Sequence, residues 1–218
     1  MNVEAIEQKI KDYQKQSLKV FTTSSFQTHS IVLLHILSRI DPTIPVYFIN
    51  TGYHFPETIQ FRDQVADLLK LNLKDVYSFT PRHMQKDAQG KLLFTSDPDF
   101  CCYLIKVQPL EPILAEHDVW INGVRADQSN VRKSFKEEEK APHGVIRLHP
   151  MLDWNTRSIE KYIKEHQLPR HPLEEKGYFS IGCEPCTRKF DLEWNAREGR
   201  WFGLKKTECG LNTDLVSK

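Results

Sequence analysis

Apolar residues along this chain alternate between helical and strand-like spacing. At the start, Val3, Ile6 and Ile10 follow helical spacing and predict an amphipathic helix. Further on, short apolar runs typical of strands alternate with helical patterns, and Gly, Pro or Asp residues separate them. The predicted strands cover residues 18–22, 46–50, 75–79, 118–123 and 144–150, and the later helices cover 31–40, 56–69 and 155–166.

Strands that alternate with helices through short loops indicate an α/β fold, with a mostly parallel sheet and helices on both faces. Two polar stretches, 81–100 and 130–143, are predicted to be loops, and the charge run KEEEK in the second predicts a solvated segment. Periodicity weakens after Pro172. We therefore expect a single domain over 1–218, with a core at about 18–172 and a C-terminal extension at about 173–218 packed over the sheet edge.

The composition narrows the classes of function. With 218 residues, 39% of them hydrophobic, the chain can bury one sizeable core. A net charge of +1 argues against a generally basic nucleic-acid-binding protein. No apolar run approaches the roughly 20 residues of a membrane span. The first residues are polar and carry both charges, unlike a signal or transit peptide, so we expect a cytoplasmic protein.

Five cysteines are spaced as two pairs and one single residue. Cys101 and Cys102 are adjacent, Cys183 and Cys186 form a CxxC, and Cys209 stands alone. A disulfide framework is not expected in a cytoplasmic chain. The two pairs supply four thiolates, enough for zinc or for a 4Fe–4S cluster. Zinc sites usually use two CxxC knuckles, so the adjacent pair favours a cluster; zinc and apolar buried cysteines remain the alternatives.

Polar loops follow the first two predicted strands. Ser24, Ser25 and Phe26 precede a helix, and the segment NTGYHFPET follows the second strand. Ligands of open α/β sheets bind outside the carboxyl ends of strands, where helix N-termini favour anions. The Walker pattern is absent. Together the loops predict a nucleotide pocket; for the first loop alone, a serine-rich helix cap is the alternative.

Basic residues near these features suit anionic ligands. If its segment is helical, Lys106 shares a face with Cys102. Cys209 follows a pair of lysines, which would partly activate its thiol as a nucleophile. Arginine forks match sulfate and phosphate oxygens. For each of these groups, a solvated side chain or an ordinary accessible thiol is the alternative. The arginines in question are Arg125, Arg132, Arg197 and Arg200.

The motifs TSSFQTHS, NTGYHFPET, CCYLIK, NGVRADQS, GCEPC and ECGL occur in one order. In this order they resemble the assimilatory adenylyl-sulfate and phosphoadenylyl-sulfate reductases, over about residues 20–213. The resemblance implies an adenine-nucleotide α-hydrolase-like (Rossmann-like) fold, related to the N-type ATP pyrophosphatases. It also implies that the core binds a nucleotide and that the extension carries the CxxC and the catalytic cysteine.

The resemblance implies roles at the matching positions. Cys209 matches the nucleophile, and Lys106 matches the lysine that lies between cluster and substrate. One 4Fe–4S cluster per chain would be ligated by Cys101, Cys102, Cys183 and Cys186. The substrate-binding residues would be Ser24, Ser25 and Phe26 in the phosphate loop, Thr51 and Gly52 in the second nucleotide loop, and Arg132, Arg197 and Arg200, with Arg125 nearby.

Two positions depart from the motifs of these reductases. Asn212 stands where the tail motif usually has histidine, and Asn50 stands where the family often has aspartate. The first removes any help from an imidazole, and the second changes the contacts of its loop. Neither removes the nucleophile or a cluster ligand.

The function that the resemblance implies is reduction of adenosine 5′-phosphosulfate to sulfite and AMP, through an S-sulfocysteine on Cys209. The expected partners are that nucleotide and a thioredoxin or glutaredoxin-type dithiol protein; neither nucleic acid nor membrane is expected, and a homo-oligomer stays open. A phosphoadenylyl-sulfate or dual-substrate reductase is one alternative. Others are a zinc-binding module and a pyrophosphatase-type nucleotidyl transferase, which would want an SGGxDS-like loop where this chain has SSFQTHS.

Overall fold

A computed structural model describes residues 1–189, 200, 201, 203, 206 and 208–215. Its strands form one sheet in the order β3-β2-β1-β4-β6-β5, in which β5 runs antiparallel to β6 and the other neighbours are parallel. The predicted mostly parallel α/β sheet is thereby confirmed. The strands are β1 Val20–Thr23, β2 Pro45–Asn50, β3 Asn72–Tyr77, β4 Val119–Ile121, β5 Glu138–Lys140 and β6 Ile146–Leu148.

Helices cover both faces of the sheet, as predicted. Along β4, Val119 and Ile121 belong to one apolar cluster while Trp120 belongs to another, because side chains alternate across a strand. The first cluster is covered by α1, α2, α3 and α8, and the second by α6 and by Leu215. The helices are α1 Val3–Lys15, α2 Thr28–Ile40, α3 Pro56–Leu69, α4 Leu93–Ser96, α5 Pro98–Cys102, α6 Gln108–Glu116, α7 Asn130–Lys133 and α8 Thr156–Glu165.

Two segments predicted to be loops contain regular structure, and those predictions are wrong in part. The stretch 81–100 includes a 3-10 turn at Arg82–Met84, α4 and the start of α5. Glu138–Lys140, the last three residues of the charge run KEEEK, form β5 by pairing with β6, and Glu138 accepts a hydrogen bond from the Tyr13 hydroxyl of α1 at 2.9 Å. The run is mostly exposed, as its charge predicts. The sequence pattern does not predict α6, since Pro109 and Pro112 interrupt it.

The segment after α8 packs back onto the beginnings of α2 and α3. The backbone N–H of His171 donates to the Thr28 hydroxyl at 2.9 Å, and the His171 ring lies 3.0 Å from the Thr58 hydroxyl. Leu173 and Ile181 join Phe55 in a small apolar cluster. These contacts bring the CxxC to the carboxyl edge of the sheet. No helix among the described residues has both the length and the apolar character that a membrane crossing needs.

Candidate active site

A cavity lined by four cysteines lies beside the wide helical turn Tyr103–Val107. This turn has i→i+5 hydrogen bonds and joins α5 to α6, and such turns are frequent at functional sites. Asp97 caps α5 by accepting the Phe100 N–H at 2.9 Å. Counted out to its opening, the cavity holds about 300 Å³ of empty space. Among its lining residues are Cys101, Cys102, Cys183, Cys186, Lys106 and Arg200.

The CxxC is held against the loop that follows β2. The Glu184 N–H donates to the Tyr53 carbonyl at 2.7 Å, and His54 forms a backbone bridge with Cys183. The Cys183 thiol donates to the Thr51 hydroxyl at 3.4 Å. The predicted second nucleotide loop and the predicted cluster ligands are therefore neighbours, and Thr51 is buried between them.

Burial and mutual repulsion disfavour free thiolates in this cavity. Burial, and then the neighbouring Cys102, Cys183 and Cys186, raise the pKa of Cys101 to about 12. Burial and Cys183 raise the pKa of Cys186 to about 11. Within the described ranges, no three His, Cys, Asp or Glu side chains are arranged to hold a single metal ion. The four thiols thus line a space and do not converge on one point.

Cys209 and Lys106 face each other at the edge of this cavity. The Lys106 Nζ lies 4.0 Å from the Cys209 Sγ. Burial raises the pKa of Cys209, but the Lys106 ammonium, the Leu211 N–H and Arg200 outweigh it, so the net pKa is lowered. Burial alone would lower the pKa of Lys106, yet the cysteines around it raise it overall. Both shifts favour a thiolate beside an ammonium.

The Arg200 side chain lines the same cavity and lies against Gly182. Its Nε donates to the Cys186 carbonyl at 3.2 Å, and its guanidinium lies 4.5 Å from the centroid of the Trp201 ring. A Cβ at Gly182 would overlap the Arg200 guanidinium, so any larger residue there would displace it. Of the predicted anion-binding arginines that the structure describes, Arg200 is the one that lines the cysteine cavity.

Two other predicted arginines bond to protein groups. Arg125 is 3% exposed and donates to Asp127 at 3.0 Å and to the His29 ring at 3.1 Å. Arg132 makes two hydrogen bonds of 3.0 Å to the carboxylate of Glu208. Arg197, the fourth predicted arginine, lies outside the described residues.

The predicted phosphate loop lies between β1 and α2. Phe26 has φ 53°, in the left-handed region, and its side chain is buried against Phe48, so only its backbone is open to a ligand. The Ser24 hydroxyl accepts the Phe26 N–H at 3.1 Å, while Ser25 is exposed. No side chain caps α2, and the Ser30 N–H donates to the Gln27 carbonyl at 2.8 Å, so the two N–H groups before Ser30 are the ones that an anion could bind.

The second loop turns at Gly52, which has φ 73° and is exposed. The Gly52 N–H donates to the Asn50 side-chain oxygen at 3.2 Å, so the amide at position 50 fills the turn-forming role that an aspartate would fill. Both loops lie at the carboxyl ends of neighbouring parallel strands, where ligands of such sheets bind.

Comparison with known proteins identifies the family. Residues 19–189 match the phosphoadenosine phosphosulfate reductase domain. The chain belongs to the phosphoadenosine phosphosulfate reductase family. An adenosine 5′-phosphosulfate reductase of Streptomyces coelicolor is 41% identical over 196 residues, covering 87% of this chain and 80% of that protein. One of Bacillus cytotoxicus is 36% identical over 202 residues, covering 92% and 86%.

A crystal structure of the phosphoadenylyl-sulfate reductase of Candida auris superposes with a TM-score of 0.68. It is 24% identical in sequence, and the alignment covers 82% of this chain and 88% of that one. At this identity the likeness shows the fold, and it confirms the adenine-nucleotide α-hydrolase-like architecture that the motifs predict.

Sequence reasoning does not find several residues that shape the site of this reductase-family chain. Glu208 is part of the ECGL motif, and its position next to Cys209 is the sequence feature that could have identified it as a site residue. Arg147 is buried within β6, and the sequence feature that could have identified it is a charged residue within the apolar run VIRL. No sequence feature identifies His54 as a site residue. Burial lowers the pKa of His54 to about 4, and its Nε2 lies 3.1 Å from the Ile49 carbonyl.

Proposed function

We propose that this chain is an adenosine 5′-phosphosulfate reductase, an oxidoreductase that releases sulfite and AMP in sulfate assimilation. Both relatives described above carry that name, at 41% and 36% identity. The observation that carries the proposal is the Lys106 ammonium 4.0 Å from the Cys209 thiol, at the rim of a cavity lined by the other four cysteines. A basic group beside a lone thiol suits nucleophilic attack on an anionic substrate.

In the first half-reaction, the Cys209 thiolate attacks the sulfur of the phosphosulfate. A sulfur–sulfur bond forms, the bond from that sulfur to the bridging oxygen breaks, and AMP leaves with the electron pair. Cys209 then carries a sulfonate as S-sulfocysteine. Lys106 and Arg200 supply positive charge where the three sulfonate oxygens must lie, which stabilises the transition state electrostatically.

In the second half-reaction, one thiolate of a thioredoxin or glutaredoxin-type protein attacks the Sγ of Cys209. The bond from Sγ to the sulfonate sulfur breaks, and sulfite leaves with the electron pair. The donor's second thiol then attacks the mixed disulfide, which restores Cys209 and leaves the donor oxidised. The two electrons that reduce the substrate come from this dithiol.

The four lining cysteines fit a 4Fe–4S cluster. They are the soft thiolate donors that such clusters use, and together they line one cavity. Iron bound to the thiolate would also offset the burial that raises the pKa of Cys101. When bound, the cluster would supply a fixed, net-negative charge distribution beside Lys106. Lys106 itself orients the sulfate and stabilises the Cys209 thiolate. The ligands would be Cys101, Cys102, Cys183 and Cys186.

The nucleotide would occupy the loops at the carboxyl edge of β1 and β2. We assign its phosphate to Ser24, Ser25 and the Phe26 backbone, and its nucleoside to the loop of Thr51 and Gly52. Arg200, together with Arg197, would bind the sulfate. This division makes about 18–172 the nucleotide-binding core and about 173–218 the segment with the CxxC and Cys209. A cytoplasmic location is part of the same proposal.

The deciding experiment is a single-turnover assay without dithiol. Anaerobically purified protein mixed with adenosine 5′-phosphosulfate should release one AMP per active site, and mass spectrometry should place the sulfonate on the peptide that contains Cys209. Cys209→Ser should bind AMP and release no sulfite. Turnover by the serine variant, or an adduct on another residue, would contradict the mechanism.

The choice of nucleotide needs its own comparison, because the phosphoadenylyl-sulfate branch is the nearest alternative. The four additional cysteines favour the adenylyl-sulfate substrate, since members of the other branch commonly lack them. We expect a higher kcat/KM for adenosine 5′-phosphosulfate. A preference of about tenfold for the 3′-phosphorylated nucleotide, about 1.4 kcal/mol in transition-state binding, would reverse the assignment.

A further inference from the structure

The carboxylate of Glu208, next to the nucleophile, is a centre of hydrogen bonds. Its side chain is 1% exposed and accepts two hydrogen bonds of 3.0 Å from Arg132. It also accepts the Ser129 hydroxyl at 3.0 Å and the backbone N–H of Cys209 at 3.0 Å. The Asn212 amide donates to it at 3.3 Å. Glu208 thus connects the backbone that carries Cys209 to a fixed arginine of α7.

A second arginine holds the same segment from the sheet. Arg147 of β6 is 1% exposed, and its Nη2 donates to the Asn212 side-chain oxygen at 2.6 Å. Its guanidinium lies 4.4 Å from the centroid of the Trp120 ring and 5.4 Å from that of Phe135. Among the described residues, its Nε and Nη1 have no hydrogen-bond partner. The bond to Asn212 is therefore the polar contact that the described structure gives this buried cation.

The turn between these anchors lies on the helix segment that carries Lys106. A Cβ added at Gly210 would lie 3.1 Å from the Val107 side chain and 2.9 Å from the Asp214 carboxylate. Asn212 N–H donates to the Cys209 carbonyl at 2.8 Å, which closes the turn. The position of the Cys209 Sγ relative to Lys106 is thus set by the seating of this turn.

We propose that Arg132 and Arg147 are positioning residues that clamp the Cys209 segment through Glu208 and Asn212. This inference rests on the proposed function, in which Cys209 is the nucleophile. It assigns Arg132 to the protein's own carboxylate and away from the substrate. It also gives Asn212, which stands where the tail motif usually has histidine, a contact of its own: its amide joins Arg147 to Glu208.

The clamp has a thermodynamic signature that direct substrate binding lacks. Removing Arg132 alone leaves a buried carboxylate without the guanidinium that forms two hydrogen bonds to it, and this costs more than the lost contact itself. Removing the charge of Glu208 at the same time relieves that penalty. The segment that carries Cys209 should therefore be less disturbed in the double variant than in Arg132→Ala alone. If the two residues had independent roles, the effects of the two substitutions would add.

The test is hydrogen–deuterium exchange of the amides in residues 208–215 of the anaerobic holoprotein. Arg132→Ala should speed their exchange by about tenfold or more, and Arg132→Lys by less, since an ammonium keeps the charge and loses the fork. The double variant Arg132→Ala/Glu208→Gln should exchange more slowly than Arg132→Ala. Arg147→Met, close in volume, should also speed exchange. Arg157→Ala, exposed on α8 across the sheet, is the control and should leave the segment unchanged.

Two binding and kinetic measurements complete the test. The affinity for AMP should stay within about twofold in Arg132→Ala, while the rate of AMP release in single turnover should fall by about tenfold or more. Unchanged exchange in Arg132→Ala, or a loss of AMP affinity without faster exchange, would overturn the clamp. Additive effects in the double variant would do the same. Exchange and AMP affinity need no sulfonucleotide chemistry, so an inactive wild-type protein would contradict the proposed function and leave the clamp test intact.

Discussion

The hydroxyl of Thr51 lies 3.4 Å from the thiol of Cys183 and 3.2 Å from the backbone N–H of Tyr53. One small side chain thus joins the turn that follows β2 to the CxxC of the C-terminal extension. If the loop after β2 binds the nucleotide as proposed, we expect a change at Thr51 to affect both that loop and the cysteine cavity.

Thr51→Val keeps the shape of the side chain and removes its hydroxyl. The Tyr53 N–H then loses its acceptor in a buried position, which should lower the free energy of unfolding by about 1–3 kcal/mol. We also expect the visible absorbance of the anaerobic holoprotein to bleach faster in air, because a hydrogen-bond partner of Cys183 is gone. Thr51→Ser is the control and should behave like the wild type in urea unfolding and in bleaching. Equal bleaching of the valine and serine variants would contradict this account.

The four lining cysteines should be required together for the cluster. Anaerobically purified protein should be brown and contain about four iron and four sulfide per chain. Cys183→Ser should lose most of both. Cys209→Ser is the matched control, because Cys209 is the cysteine outside this set, and it should keep all its iron. Zinc without sulfide in the wild type, or full iron in Cys183→Ser, would contradict the ligand assignment.

The sequence predicts the α/β sheet because strand patterns are local signals, and the resemblance of its motifs to the reductases implies that Lys106 and Cys209 belong to one site. The sequence does not predict that Arg132 pairs with Glu208. Arg132 belongs to a motif expected to bind the anionic substrate and Glu208 to the motif of the nucleophile, and only the fold brings the two side chains together. The KEEEK run is mostly exposed, as its charge predicts, but the local sequence does not show that its last three residues pair with β6. Likewise, the need for glycine at position 182 becomes clear only from the structure, in which the Arg200 guanidinium occupies the space of a Cβ.

Lys106→Ala should leave the cluster and fold intact and should reduce kcat by about 100-fold, the size of effect seen when one fixed transition-state donor is removed. The physical reason is the loss of positive charge 4.0 Å from the Cys209 Sγ. Lys106→Arg should recover part of the rate, because a planar fork does not replace a point charge. Steady-state kinetics with an AMP-binding control checks this. Unchanged kinetics in the alanine variant would show that Lys106 takes no part in catalysis.

His171 should make the protein less stable in mild acid. Its Nδ1 accepts the Leu173 N–H at 3.2 Å, which assigns the ring proton to Nε2 beside Thr58. Burial lowers the pKa of His171 to about 4. Between about pH 6.5 and 4 the unfolded chain binds a proton that the folded chain does not, so the free energy of unfolding falls as the pH falls, by up to about 3 kcal/mol.

His171→Gln removes this titration and keeps a donor for Thr58. Urea unfolding at several pH values should show a shallower loss of stability in the variant than in the wild type. The variant should still lose some stability in acid, because other buried histidines, such as His149 with its pKa lowered to about 3, still titrate. Parallel pH profiles for the two proteins would refute the assignment.

Gly182→Ala tests whether the position of Arg200 matters to the chemistry. The backbone at Gly182 is outside the left-handed region, so alanine itself adds no strain there. Its Cβ would, however, overlap both terminal nitrogens of Arg200. The guanidinium is the far end of a flexible side chain, so it should move away while the fold is kept. Arg200 lowers the pKa of Cys209 together with Lys106, and its displacement removes part of that effect.

We therefore expect Gly182→Ala to lower kcat/KM for the sulfonucleotide by about tenfold, with a melting temperature close to that of the wild type. Arg200→Ala should give a similar or larger loss. The decisive comparison is the double variant: with Arg200 already removed, Gly182→Ala should change kcat/KM by less than about twofold, because the two substitutions act through one guanidinium. A full tenfold loss on top of Arg200→Ala would show that Gly182 acts through something other than Arg200.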